Sequence, residues 1–199
     1  KGYLQGFFAA VAQSRELLAG QVASGLTTSD RSPGVAGQAE ETYFSTPVSD
    51  LCREERWKYE QNPLDLWDKL LEHANENKVP AVEDAFRFKF HGLFYVAPAQ
   101  DSFMLRMRVP GGVIRSHQLR GLAELASMYG AGRAEMTTRS NFQLREFQPK
   151  VVVRVLNKVQ ALGMTSRGSG ADNVRNITAS PLAGIDPAEL YDVAPMAEA

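Results

Sequence analysis

Phe103-Met104-Leu105-Arg106-Met107-Arg108-Val109 and, further along, Asn141-Phe142-Gln143-Leu144-Arg145-Glu146-Phe147 decide how this chain reads. Successive side chains of a strand point to opposite faces, so Phe103, Leu105, Met107 and Val109 share one face. Met104, Arg106 and Arg108 share the other. In the second stretch Phe142 and Leu144 can face a core while Asn141, Gln143 and Arg145 point away. Where the two polar faces coincide, a sheet presents guanidiniums and amides, a floor suited to a carboxylate-rich ligand or a small oxyanion.

Working outward, the order of elements becomes regular. The strand at 103–109 leads through Pro110-Gly111-Gly112 to a predicted helix at 116–129. That helix buries Leu119, Leu122, Ala123, Ala126 and Tyr129 and stops at Gly130. Strands near 134–139 and 141–147 follow. Pro149 opens a helix over 149–162, with Val152, Val155, Leu156 and Val159 inward and Gly163 at its end. A short strand, 164–167, completes βαββαβ, the ferredoxin-like arrangement. Both helices then cover one face of the sheet and leave the arginine-bearing face open.

The flanks are less ordered in pattern. Residues 3–19 read as an amphipathic helix, and 20–50, rich in Gly, Ser, Thr, Ala and Pro, as a linker or surface-wrapping loop. Asn62-Pro63 reads as a cap and first helical position, with Leu64, Trp67, Leu70, Leu71 and Ala74 as the apolar stripe. Residues 86–96 alternate aromatic and cationic side chains and read as strand. The domain reading is an N-terminal helical and linker extension over 1–85, a ferredoxin-like half-domain over 86–167, and the start of a second α/β domain over 168–199.

The 199 residues are 44% hydrophobic and 23% charged, an ordinary globular balance. A net charge of −1 hides an asymmetry: residues 84–175 hold 14 Lys and Arg against 6 Asp and Glu, whereas 1–83 hold 8 against 13. The middle segment therefore favours an anionic partner. No apolar run is long enough to span a bilayer, and no secretory pattern opens the chain, so the expected location is cytoplasmic, away from membranes. The single cysteine, Cys52, leaves no intrachain disulfide and no four-cysteine cluster within this sequence. His73, His91 and His117 lack metal-ligand spacing, and His91 reads as a satisfied core histidine. Gly168-Ser169-Gly170 reads as turn glycines rather than a dinucleotide fingerprint. Arg106 and Arg108 stand out because an unpaired guanidinium among apolar neighbours is costly to desolvate. Structural pairing to Glu124, Glu135 or Glu146 is the competing explanation.

On those residues the chain resembles the N-terminal half of a siroheme-dependent nitrite/sulfite reductase, nearer to the ferredoxin-dependent nitrite reductases. The resembling stretches are Asn62-Pro63-Leu64-Asp65-Leu66-Trp67, Phe90 to Pro98, Phe103 to Gly112, Thr137-Thr138-Arg139-Ser140-Asn141-Phe142-Gln143, Gly170 to Asn176, and Ser180 to Pro187. They run in family order from about 60 to 192. Ser140 departs from the glutamine many relatives carry.

The resemblance implies an α+β fold and six-electron reduction of nitrite to ammonia. It implies siroheme coupled to a [4Fe–4S] cluster, and ferredoxin or a similar electron donor. By position it makes Arg106 and Arg175 the substrate arginines. Arg108, Thr137, Arg139, Asn141, Gln143 and Arg145 become siroheme contacts, with Lys89 a further candidate. In the family the cluster cysteines come from a second repeat that this sequence does not reach. The chain is therefore expected to be a half that lacks the cluster ligands and does not turn over alone. Two alternatives accompany this reading: the corresponding half of a sulfite reductase, and a ferredoxin-like module binding RNA. The second is disfavoured because base-stacking aromatics are missing from the open face, so no nucleic-acid partner is expected.

Overall fold

The computed structural model describes residues 41–96 and 101–198, which leaves the predicted helix at 3–19 and most of the 20–50 loop outside the described residues. Within 41–50, read from sequence as loop, β1 (Thr42–Tyr43) and β2 (Thr46–Pro47) pair as a small hairpin. Its two turn residues, Phe44 and Ser45, both hold positive φ (46° and 67°), the combination a two-residue hairpin turn demands.

Three helices precede the main sheet: α1 (Arg53–Glu60), α2 (Trp67–Glu76) and α3 (Val82–Phe88). Asn62 does act as a local acceptor, its Oδ1 taking the Leu64 N–H at 3.0 Å, but it shapes a turn and α2 begins only at Trp67. The buried face of that segment is Leu66, Leu70 and His73, with Trp67 exposed, so the stripe is rotated from the predicted one. Residues 86–88 are helix, not strand. Arg87 explains why: at 4% exposure its guanidinium bonds the Trp57 carbonyl at 3.0 and 3.1 Å and lies 3.6 Å from Asp84 one turn back. Helical i,i+3 pairing thus overrides the period-2 pattern. A single 3₁₀ turn, Lys89–His91, then ends at Gly92 in the left-handed region.

The four-stranded sheet has the order β3-β4-β6-β5, all antiparallel. Its strands are β3 (Leu93–Val96), β4 (Ser102–Arg106), β5 (Ala134–Met136) and β6 (Phe142–Phe147). Helix α4 (Ser116–Tyr129) joins β4 to β5, and α5 (Val152–Ala161) follows β6 after a 3₁₀ turn over Pro149–Val151. The βαββα succession is therefore as read from sequence. The fourth strand is not: 164–167 contributes one bridge, Arg108 to Thr165, because β3 already pairs with most of β4 on that edge. A short helix, α6 (Ala194–Glu198), ends the described chain.

Apolar side chains of one sheet face and the helices form one core. Phe103, Leu105, Met107 and Val109 are at most 2% exposed and join Leu122, Leu125, Ala126, Val152, Val155, Leu156 and Val159. In α4 the inward positions include Leu125, whereas Leu119 and Ala123 lie outside, a rotation of the face predicted for that helix.

Strand β6 holds the main departure from strict alternation. Phe103 pairs with Phe147 and Leu105 with Leu144, so three steps on β6 oppose two on β4. This bulge is marked by Glu146 at φ 68°. Strict alternation would send Phe147 to the face opposite Leu144. The extra residue brings both into the core at 0% exposure.

Candidate functional site

Beyond the bulge, β6 and β4 keep the predicted alternation, and Arg106 pairs directly with Gln143 in the register. Thr137, Arg139 and Asn141 come from the β5–β6 turn, and Arg175 from the loop after residue 168. Together Arg106, Thr137, Arg139, Asn141, Gln143 and Arg175 line one cleft of about 50 Å³. All six are residues the sequence nominated, brought together from three separate segments.

The turn is built by its own threonine. Thr137 Oγ1 accepts the N–H groups of Arg139 (3.3 Å) and Asn141 (3.2 Å), and Thr137 N donates to the Asn141 carbonyl at 2.8 Å. Ser140 sits at φ 56° to close it. Such side-chain-to-backbone bonds hold a turn that would otherwise compete with ladder pairing. The same loop leaves Arg139 exposed above the cleft.

Arg106 is the partly buried cation of the group. Its guanidinium lies over the Phe94 ring at 4.5 Å, a cation–π contact that needs no carboxylate. Burial lowers its pKa, and the charges of Arg175, Arg139 and Arg145 lower it further. Four guanidiniums thus share one field. None of the six cleft-lining residues is a carboxylate. The Gln143 amide stands between two of them. Turned toward Arg106, its oxygen accepts from Nε and Nη2 at 3.1 and 3.2 Å; turned the other way, it accepts from Arg145 Nη2 at 3.3 Å. One carbonyl oxygen cannot serve both arginines fully, so the cluster retains unsatisfied donors, the condition for capturing an anion.

The remaining nominated residues lie elsewhere. Arg145 does not line the cleft: its Nε donates to Glu135 at 2.6 Å, and that pairing holds the Glu135 carboxyl below its ordinary range. The pairing to Glu135 or Glu146 considered from sequence for Arg106 and Arg108 is made instead by Arg145 and Arg133. Arg108 donates its backbone N–H to Thr165 and carries its guanidinium towards Gly168, away from the cleft. Lys89 places its ammonium 5.7 Å from the Phe86 ring on the helical side. His91 is 8% exposed and bonds the Pro63 carbonyl through Nε2 at 2.9 Å, with burial pushing its pKa down.

Several supporting residues had no signal in the pattern. Ser169, fully buried, donates its hydroxyl to the Arg106 carbonyl at 2.8 Å. Gly92 accepts the Arg106 N–H through its carbonyl at 2.8 Å. A Cβ at Gly92 would stand 2.5 Å from the Arg106 carbonyl oxygen and from Ser169 Oγ. Phe94 was legible only as part of an aromatic run. Lys58 of α1 bonds Asp172 at 2.6 Å and Glu55 at 2.5 Å, tying that helix to the loop bearing Arg175. Among the described residues no group of three or more His, Cys, Asp or Glu could hold a metal ion, and no helix is long and apolar enough to cross a membrane.

Comparison with known proteins gives this geometry its context. Residues 96–162 match the nitrite/sulfite reductase ferredoxin-like half domain. The chain is 47% identical over 147 residues to the ferredoxin–nitrite reductase of Leptolyngbya laminosa, covering 72% of this chain and 29% of that protein. It is 38% identical over 153 residues to the ferredoxin–nitrite reductase of Synechococcus elongatus, covering 75% and 30%. Among solved structures, the NirA protein of Mycobacterium tuberculosis superposes with a TM-score of 0.68 at 23% identity, over 74% of this chain and 31% of that one, a likeness of fold. The chain thus spans under a third of the length of these relatives.

Proposed function

We propose that this chain, whose residues 96–162 match the nitrite/sulfite reductase ferredoxin-like half domain, is the siroheme- and nitrite-binding half of a ferredoxin-dependent nitrite reductase. The complete enzyme would reduce nitrite to ammonia with six electrons. One observation carries the reading: Arg106, Arg139 and Arg175 converge on a cleft lined by no carboxylate, where burial first and then the neighbouring guanidiniums lower the Arg106 pKa. An anion relieves their mutual repulsion.

The donor set fits the group the family implies. Siroheme is rich in carboxylates, and guanidiniums with hydroxyl and amide donors are the side chains that bind carboxylates in pairs. The cleft itself, at about 50 Å³, suits a small oxyanion. Exposed Arg139 and Arg175 are the residues that would meet the cofactor's carboxylates at its mouth. When bound, siroheme would supply a redox-active iron that delivers electrons to the substrate.

The chain's own residues do the rest. Arg106 orients the anion by charge-assisted hydrogen bonds, held in place by Phe94, Gln143 and Ser169. Arg175 offers a second guanidinium from the opposite loop. Both stabilise negative charge as it shifts onto oxygen during N–O cleavage. A four-cysteine iron–sulfur cluster would need thiolates other than the single Cys52 of this sequence.

The test joins this chain to its complementary half and follows nitrite reduction with reduced viologen. Arg106→Ala and Arg175→Ala should each lower kcat/KM by roughly 10²–10³, the usual effect of removing one preorganised oxyanion donor. Siroheme content, read from its absorption, should remain in Arg106→Ala and fall in Arg175→Ala, because Arg175 also meets the cofactor's carboxylates. Unchanged rates in both variants would refute the assignment. The matched half domain serves sulfite as well as nitrite reductases, and competition between the two substrates in the same assay ranks them.

A further inference from the structure

Two asparagines outside the charge cluster make a reciprocal clasp between its loops. Asn141, in the turn with Arg139, donates from Nδ2 to the Arg175 carbonyl at 3.2 Å. Asn176, beside Arg175, donates from Nδ2 to the Arg139 carbonyl at 2.8 Å. Each asparagine holds the loop of the other's arginine. Both also grip the same residue just past β4: Asn141 Oδ1 accepts the Val109 N–H at 2.9 Å, and Asn176 Nδ2 donates to the Val109 carbonyl at 2.8 Å.

Val109, 2% exposed and part of the core, is a fixed post for this clasp. Asn141 is itself 1% exposed, and Asn176 Oδ1 is a buried acceptor without a partner. Leaving a buried carbonyl oxygen unsatisfied costs stability, so the Nδ2 end of Asn176 fixes the side chain's orientation at the expense of its other end. Among the contacts Asn141 and Asn176 make, none is an ion pair.

Building on the nitrite-site reading, we propose that Asn141 and Asn176 are positioning residues: they lock Arg139 and Arg175 to Val109 so that the guanidiniums are preorganised for an anion before it arrives. Neither side chain needs to touch substrate. Long flexible arginines on two exposed loops would otherwise lose conformational freedom on binding, and holding their backbones in advance removes part of that cost.

The cross-loop geometry gives a test that an ordinary structural role does not mimic. In the complete enzyme, hydrogen–deuterium exchange is measured for the peptides spanning 137–141 and 170–177. Asn176→Ala should speed exchange at least tenfold in the 137–141 peptide, the loop to which it does not belong. Asn141→Ala should do the same in 170–177. Nitrite affinity, read from the haem absorption shift, should fall about tenfold in each variant, while siroheme content stays near wild type in Asn176→Ala. In an Arg139→Ala background, Asn176→Ala should cost less than twofold more, because the two act through one loop.

Should Asn176→Ala misfold, Asn176→Ser, which keeps a single short donor, supplies the same readouts with smaller shifts. Changes confined to each variant's own loop, or full multiplicativity with Arg139→Ala, overturn the clasp. Arg106→Ala and Arg175→Ala serve as the reference: if they leave nitrite binding intact the site reading itself fails, and if only they impair it the clasp alone fails.

Discussion

Gly92→Ala is the substitution on which the link between fold and site can be measured most directly. Gly92 holds φ 77°, and a Cβ there would lie 2.5 Å from the Arg106 carbonyl oxygen, 2.5 Å from Ser169 Oγ and 2.6 Å from the Ser166 carbonyl oxygen. Two of those three atoms are backbone and cannot swing away. A side chain in the left-handed region costs roughly 1–2 kcal/mol, and forced overpacking typically adds about 1–3 kcal/mol. The reduced entropy of the unfolded chain returns about 0.4–1 kcal/mol. The net expectation is a loss of about 2–4 kcal/mol, combining these ranges.

Gly163→Ala is the internal control. It shares the conformation, φ 71°, but a Cβ there meets nothing within 4 Å. Only the backbone penalty remains, so the loss should be about 1 kcal/mol or less. Urea denaturation of the two variants, followed by circular dichroism, gives the comparison. Equal losses within about 0.5 kcal/mol, inside the additivity error for independent sites, would show that the packing of Gly92 against the Arg106 strand is not as described. Because Gly92 O also accepts the Arg106 N–H at 2.8 Å, Gly92→Ala should additionally weaken anion binding, and Gly163→Ala should not.

Three further outcomes follow from neighbouring features. Burial depresses His91, so its unfolded form takes up a proton before its folded form does; stability should be fully present above the ordinary histidine pKa of 6.5 and fall as pH drops below it. Replacing His91 by Gln should flatten that part of the stability–pH curve, measured by denaturation at a series of pH values. Glu135→Gln frees Arg145 from its carboxylate partner at 2.6 Å and should tighten binding of an anionic ligand severalfold at low salt, an advantage that shrinks as ionic strength rises; titration at two salt concentrations checks it. Lys58→Met cuts the tie between α1 and Asp172 and should raise hydrogen exchange in the 170–177 loop while leaving the 137–141 turn unchanged.

Much of this arrangement was legible from residue order alone. Alternation in 103–109 placed four apolar side chains inward and Arg106 outward, and helix α4 begins and ends where Ser116 and Gly130 suggest. Period 3.6 likewise picked out the four buried residues of α5. What failed did so where a long-range partner decided the outcome. Residues 86–88 alternate like a strand, yet Arg87 reaches the Trp57 carbonyl and Asp84 as only a helix permits. The short strand read at 164–167 contributes one bridge, and β3 pairs along β4 instead, a choice that strand propensity cannot rank. Arg145 and Arg139 look alike in sequence, but only Arg145 has Glu135 diagonally across from it, through the pairing of β5 with β6. Ser169 and Asn176 act on backbone carbonyls remote in sequence, and no periodicity announces such bonds.

The bulge at Glu146 has a consequence for how this ribbon tolerates change in length. Residues before it answer to the anion, residues after it to the hydrophobic interior, and a single bulged amino acid separates the two. Excising Glu146 would leave Phe147 two residues after Leu144, on the same face by plain alternation, so the interior contact is kept and only the bulge is lost. Deleting Glu146 should therefore be tolerated better than inserting one further residue beside it, which sends Phe147 away from the core, and the soluble yields of the two variants check it.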